Sequence, residues 1–246
     1  MSIAAFRWES SARTDKGNVR DHNEDACLEL PGRGVWVVAD GMGGHQSGDL
    51  ASQMVVDLVA QIGVHDKPSR LVDLVEDALM TANRRLYRKS LEGERPTVIG
   101  STVAALLAVG GYAISAWAGD SRVYRLRGGV LEQVSRDHSE VEELIDQGVL
   151  SRATAEDHPA ANVITRAVGG AEDLYLDLEL LQLQNLDRFL LCSDGLYKEL
   201  TEQEIAVLLA DGDCKEACSQ LLGTALSRKC TDNVTALVVD FLAVAA

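Results

Sequence analysis

The chain has 246 residues, 46% hydrophobic and 25% charged, and carries a formal net charge of −15. That is enough chain to bury a sizeable core, and its acidic surface disfavours nucleic acid or anionic lipid as a partner. Acidic residues are so common that no single carboxylate carries weight by itself.

The opening stretch, MSIAAFRWESSARTDKG, has no apolar run of signal-peptide type and takes charges at Arg7 and Glu9. A secretory leader is therefore not expected, and a cytoplasmic chain is. Strand-length apolar runs follow at 26–30, 35–39, 101–109, 112–118, 122–127, 130–134, 188–193 and 234–241. Their punctuation is that of hairpins: Pro31-Gly32-Arg33-Gly34, Gly110-Gly111 and Gly128-Gly129. The uncharged stretch 98–119 is long enough to cross a bilayer. Its central Gly110-Gly111 and its small, β-tolerant residues favour two strands and a turn, so no membrane insertion is expected.

Helical patterns lie between these runs. One begins near Ser47, a capping residue with Asp49 in the first turn. Another covers 69–91, where Leu71, Leu74, Val75, Ala78, Leu79, Ala82 and Leu86 form one face. A third, at 201–210, opens on the capping box TEQE, and a fourth spans about 214–228. Strands joined by tight turns predict antiparallel sheets, and the simplest architecture packs two of them face to face with helices outside each. This is an α+β chain, read as one domain over 1–246. The polar segment 135–170 interrupts the strand rhythm and is expected to be a surface insertion. The five cysteines form no C-x-x-C pair. Cys214 and Cys218 could make half a metal site, but packed or free thiols of a reducing compartment are the simpler reading.

Residues 35–48, VWVVADGMGGHQSG, run from a buried strand through Asp-Gly into a glycine-rich loop. A dinucleotide fingerprint fails because its third glycine falls on Gln46, and a phosphate loop fails because Asp49-Leu50 stand where Lys and Ser/Thr are needed. That leaves Asp40. The same grammar recurs at Asp194-Gly195 and at Asp120, while Glu24 with Asp25, and Asp232, stand just before strands. Carboxylates gathered on one partly desolvated rim would raise one another's pKa unless a cation neutralised them. Oxygen ligands without His or Cys suit hard ions, Mg²⁺ or Mn²⁺ and also Ca²⁺. The Gly41 carbonyl is a further candidate ligand, since glycine lets the main chain approach closely. Each Asp-Gly or Asp-Asn is equally a common turn, so on the residues alone a metal cluster and a set of turns both stand.

RDHNED (20–25), VVADGMGG (37–44), GDSR (119–122), LCSDGLY (191–197) and TDNVT (231–235) together resemble, in order and spacing, the metal-dependent Ser/Thr protein phosphatases of type 2C, in their compact bacterial form. The resemblance runs from about Ser11 to Val239. It implies a four-layer α-β-β-α sandwich with a binuclear Mn²⁺ or Mg²⁺ centre at one edge. Asp40 would bridge both ions and Gly41 would give its carbonyl, with Asp194 and Asp232 on the first ion. Glu24 would lie at or behind the second, with Asp25 bound through water or hydrogen bonds. Asp120 would share a third, weaker ion with Asp194, and Arg20 would grip the substrate phosphate. The implied reaction is direct hydrolysis of phosphoserine or phosphothreonine by a hydroxide bridging the two ions, reversing a Ser/Thr kinase.

Met42 stands where many eukaryotic members of that family have a His, the proposed general acid; Met cannot donate a proton, and a metal-bound water is the alternative donor. His45 is read as a surface or capping residue. Segment 135–170 corresponds to a flap beside the site, with His138 and His158 exposed or structural, and Cys192 is read as a buried strand thiol. Expected partners are phosphoprotein substrates, including a bacterial Ser/Thr kinase and its targets, bound by a monomer that prefers basic flanks. The competing function is a catalytically weak or inactive scaffold of the same fold.

Overall fold

The computed structural model describes residues 5–43, 47–63, 68–92, 97–155 and 158–244. The chain begins with β1 (Phe6–Asp15), β2 (Asp25–Leu30) and β3 (Val35–Gly43), then two helices, α1 (Ser47–Ala60) and α2 (Pro68–Ser90). Strands β4 (Ile99–Ser101), β5 (Val103–Val109), β6 (Tyr112–Ala118), β7 (Arg122–Arg127) and β8 (Val130–Gln133) follow. Two short helices, α3 (Glu140–Asp146) and α4 (Arg152–Ala155), lead to β9 (Asp177–Gln182) and β10 (Asp187–Cys192). The chain closes with α5 (Asp194–Tyr197), α6 (Glu202–Ala210), α7 (Cys214–Ser227) and β11 (Val234–Ala243).

Two antiparallel sheets result, ordered β1-β11-β10-β7-β8 and β2-β3-β5-β6-β9, with β4 added on β3. The alternation of side chains along β3 shows how they stack. Val35, Val37 and Ala39 face α1 and α2, meeting Val55, Val59, Leu79 and Leu86. Trp36 and Val38 point the other way, into a layer shared with Val123, Phe189, Leu191, Val239 and Phe241 of the second sheet. On that sheet's far face, Leu190 and Val238 meet Leu209 and Leu221 of α6 and α7. Central strands buried on both faces read as continuous apolar runs because both sets of alternating side chains must be apolar. The four-layer α-β-β-α order follows, as expected.

The predicted helices form, and Thr201 with Glu204 makes the capping box in full. The stretch 98–119 folds as a hairpin with Gly110-Gly111 at its turn. Among the described residues no helix is long and apolar enough to cross a membrane. The five thiols are unpaired, with Cys192 fully buried and its pKa pushed up to about 12, first by burial.

Three differences from the sequence reading matter. β1 and β9 are strands where none was expected. β1 pairs with β11 along its whole length, from Phe6 opposite Ala243 to Asp15 opposite Val234. β3 also does not end at residue 39. It changes partner at Asp40, from β5 (Val38 opposite Ala104) to β4 (Gly41 opposite Ser101).

Candidate metal centre

Asp40 stands where β3 exchanges partners, and its main chain is pinned there. Its N–H donates to Thr102 Oγ1 at 2.9 Å, and its carbonyl accepts from Thr102 N at 2.8 Å and Ser101 Oγ at 3.0 Å. Thr102 is held in turn by Ser121 Oγ, 2.7 Å away, beside Asp120. Directly across the ladder from Asp40 lies Asp25. Two carboxylates opposite one another oppose strand pairing unless something offsets their charge.

Asp25 is buried, and it joins the two sheets. From the five-stranded sheet's side, Ser193 Oγ donates to its Oδ2 at 2.7 Å and Thr235 Oγ1 at 2.6 Å. Its other oxygen, Oδ1, is buried without a partner, as is Asp194 Oδ1. Burial raises the Asp25 pKa to about 7, and Asp194 and Asp232 add to the rise against the two hydroxyl donors. Asp120, also buried, is raised to about 7 by burial and then by Asp194 and Asp137. Burial lifts Asp40 well above the carboxylate range, aided by Asp25, Asp194, Asp120 and Asp232. The fold therefore brings these five carboxylates into one electrostatic neighbourhood.

The two Asp-Gly steps now have a steric reason. A Cβ on Gly41 would lie 1.9 Å from the carbonyl oxygen of Gly48 and 2.8 Å from that of Glu24. A Cβ on Gly195 would lie 2.0 Å from the Asn233 carbonyl oxygen. Both obstacles are backbone, which cannot swing aside. Gly41→Ala should therefore cost about 1–3 kcal/mol of stability and displace Asp40 from the rim. Urea unfolding and a crystal structure of the variant would check this, and an unchanged midpoint would contradict it.

Arg20 and Glu24 sit on the loop between β1 and β2. Arg20 Nη2 lies 2.9 Å from Asp232 Oδ2, on the exposed side of the rim. The Glu24 carbonyl accepts from Gly41 N at 3.0 Å, and the side chain packs against Gly48 at the start of α1. Asn233, which reads as a turn residue in the sequence, proves to be the clamp on this loop. Its Oδ1 accepts from Glu24 N at 2.8 Å, and its Nδ2 donates to the carbonyls of Lys16 and His22 at 2.9 Å.

Two further residues escape the sequence reading. Lys198 donates to Asp194 Oδ2 in a tight ion pair and to Asn162 Oδ1 at 2.8 Å. Arg122 stacks on Tyr197, 3.6 Å from the ring centroid, and forms a forked pair with Asp137 at 2.7–3.0 Å. Tyr197 OH donates to the Asp120 carbonyl at 3.0 Å, so this stack supports the floor of the site. His138 is structural: it stacks on Trp117, and its Nδ1 accepts from Gly119 N at 3.1 Å. His158 Nδ1 accepts from Ala160 N at 3.2 Å. Met42 lies in β3 opposite Gly100, and His45 falls outside the described residues.

Among the described residues, no three His, Cys, Asp or Glu side chains stand grouped at metal-ligand spacing. The carboxylates instead hold side-chain cations, Arg20 on Asp232 and Lys198 on Asp194. The site nonetheless fits a hard divalent ion. It has an oxygen-only donor set, two buried carboxylate oxygens without partners, and mutual repulsion that added positive charge would relieve.

Residues 16–233 match the family described as Protein phosphatase 2C. The chain belongs to the protein phosphatase 2C family. That membership bears out the family expected from the five motifs. The serine/threonine protein phosphatase PstP of Mycobacterium tuberculosis is 34% identical over 235 residues, which are 94% of this chain and 44% of PstP. The chain thus spans less than half the length of that relative. Among solved structures, PppA of Pseudomonas aeruginosa, described as a key regulatory component of T6SS, superposes with a TM-score of 0.88 at 43% identity. It covers 96% of this chain and 98% of its own. A PstP catalytic domain in complex with two manganese ions superposes with a TM-score of 0.86 at 30% identity, covering 97% and 100%.

Proposed function

We propose that this chain removes phosphate from phosphoserine and phosphothreonine residues of proteins, with a pair of divalent ions, Mn²⁺ or Mg²⁺, in the rim of carboxylates. Asp40, the Gly41 carbonyl, Asp194 and Asp232 would hold the ions, with Glu24 and Asp25 in support. The supporting observation is the set of acidic side chains that both sheets deliver to one edge, two of them with an unpartnered buried oxygen. The relative named a serine/threonine phosphatase and the manganese-bound neighbour point the same way. When bound, such ions supply a water of lowered pKa and neutralise charge on the phosphoryl oxygens.

The protein's own side chains do the rest. Arg20, about half exposed, offers a planar fork to two phosphate oxygens, which a lysine cannot reproduce. Asn233 fixes the loop that carries Arg20, so the fork is presented in one place. Asp25 keeps the two sheets in register beneath the substrate. Met42 has no proton to give to the departing seryl or threonyl oxygen. We read 1–246 as one working domain with 135–170 as its flap, acting as a cytoplasmic monomer on phosphoproteins that include a bacterial kinase and its targets.

The test is phosphate release from a phosphothreonine peptide. Turnover should need Mn²⁺ and vanish with EDTA or with Asp194→Asn. Arg20→Lys should raise KM about tenfold with a smaller change in kcat. A folded protein that binds Mn²⁺ yet releases no phosphate from any phosphopeptide would replace this reading with the scaffold.

A further inference from the structure

Lys198 is the C-cap residue of α5, four positions after Asp194. Its side chain is partly exposed, and its ammonium makes two contacts of different kinds. One is the tight ion pair with Asp194 Oδ2, inside the candidate metal centre. The other is the 2.8 Å hydrogen bond to Asn162 Oδ1, from the segment inserted between β8 and β9. Asn162 is exposed and lies near the end of that insertion, two residues before Ile164 returns to bridge Ser139. Lys198 is thus a direct side-chain tie between the acidic rim and the 135–170 segment.

The position of this ammonium is informative. Asp120 is a buried carboxylate of the same corner, and the positive charge of Lys198 acts on it as well as on the partly buried Asp194. These are the two carboxylates on which the resemblance places a third, weaker ion. An ammonium is a compact point charge with three donors, suited to a place among carboxylate and amide oxygens. A divalent ion entering this corner would have to displace it, because like charges within about 4 Å repel by several kcal/mol at the dielectric of a protein surface.

We propose that Lys198 is the resident cation of this corner. Its ammonium takes the place of a third divalent ion between Asp194 and Asp120, and through Asn162 it holds the inserted segment against the metal centre. The charge that sets this segment's position is then built into the chain and does not depend on dissolved metal. The first half of the inference rests on the two-ion site proposed above. The second half rests only on the contacts of Lys198.

Two measurements on the full chain test it. Calorimetric titration of metal-free protein with Mn²⁺ should count two ions on the wild type and three on Lys198→Asp. Hydrogen exchange over residues 158–165, measured without metal, should speed up about tenfold in both Lys198→Ala and Asn162→Ala. Lys198→Arg, which keeps the charge, should stay close to wild type. Because Asn162 is exposed, its variant should fold even if a Lys198 variant does not. Three ions on the wild type, or only two on Lys198→Asp, would overturn the resident-cation half. Unchanged exchange in both alanine variants would overturn the tie to the segment. A wild type that takes up no Mn²⁺ at all would bring down the two-ion site and the resident-cation half with it, while the exchange result still decides the tie.

Discussion

Asp40→Asn is expected to lose activity on the order of a thousandfold, the equivalent of several kcal/mol of transition-state stabilisation, and yet to unfold at higher urea than the wild type when both are free of metal. The two effects share one cause. Asp40 lies directly across the ladder from Asp25, and burial together with Asp25, Asp194, Asp120 and Asp232 disfavours its charge. An amide of nearly the same shape removes that repulsion, with a gain of about 1–3 kcal/mol. It also removes the charge that a divalent ion needs. Urea melts in EDTA, set beside phosphate release in Mn²⁺, check both halves. If Asp40→Asn were less stable without metal, the carboxylates would not oppose one another as described.

Arg122→Ala should be the most destabilising single change at the site, costing about 3–5 kcal/mol. Asp137 is largely buried, and its carboxylate is held by the forked guanidinium, with further help from Gln133. Burial opposes the charge on Arg122, and the hydrogen bonds to Asp137 overcome it, so its pKa ends above the usual arginine value. Removing the arginine strands a buried carboxylate and also takes away the surface on which Tyr197 rests. Arg122→Lys should recover only part of the loss, because a point charge neither forks nor stacks. The double variant Arg122→Ala with Asp137→Ala should be more stable than Arg122→Ala alone. Denaturant melts of the three variants check this, and strict additivity would show that the pair is not coupled.

The ligand candidates were legible because each stands where an apolar run gives way to polar chain, a local pattern at Asp40, Asp120 and Asp194. The residues that hold them in place were not, because their partners are remote in sequence. Asn233 clamps Lys16 and His22, Thr235 and Ser193 reach Asp25, and Lys198 reaches Asn162. In the sequence these are an ordinary turn asparagine, two hydroxyls and a surface lysine. The central strands were legible for the opposite reason, since burial on both faces demands unbroken runs of apolar residues. β1 escaped notice because it is an edge strand in which Phe6, Trp8 and Ala12 alternate with charged and polar residues. β9, also at an edge, buries only Leu181 in its span. The signal of β1 is a period of two, which is weak beside a hydrophobic run.

The pairing of β1 with β11 has a consequence for how the protein can be joined to others. Phe6 faces Ala243 at one end of this ladder, and Asp15 faces Val234, close to the candidate metal centre, at the other. Val244 N still donates to the Ala5 carbonyl beyond the last pair. The two ends of the described chain therefore leave side by side, about 30 Å along the strands from the carboxylate rim. A tether, affinity tag or neighbouring domain attached at either end hangs from the corner remote from that rim. A short linker between those ends would close the chain into a ring, leaving a distant surface loop free to be cut as a new start.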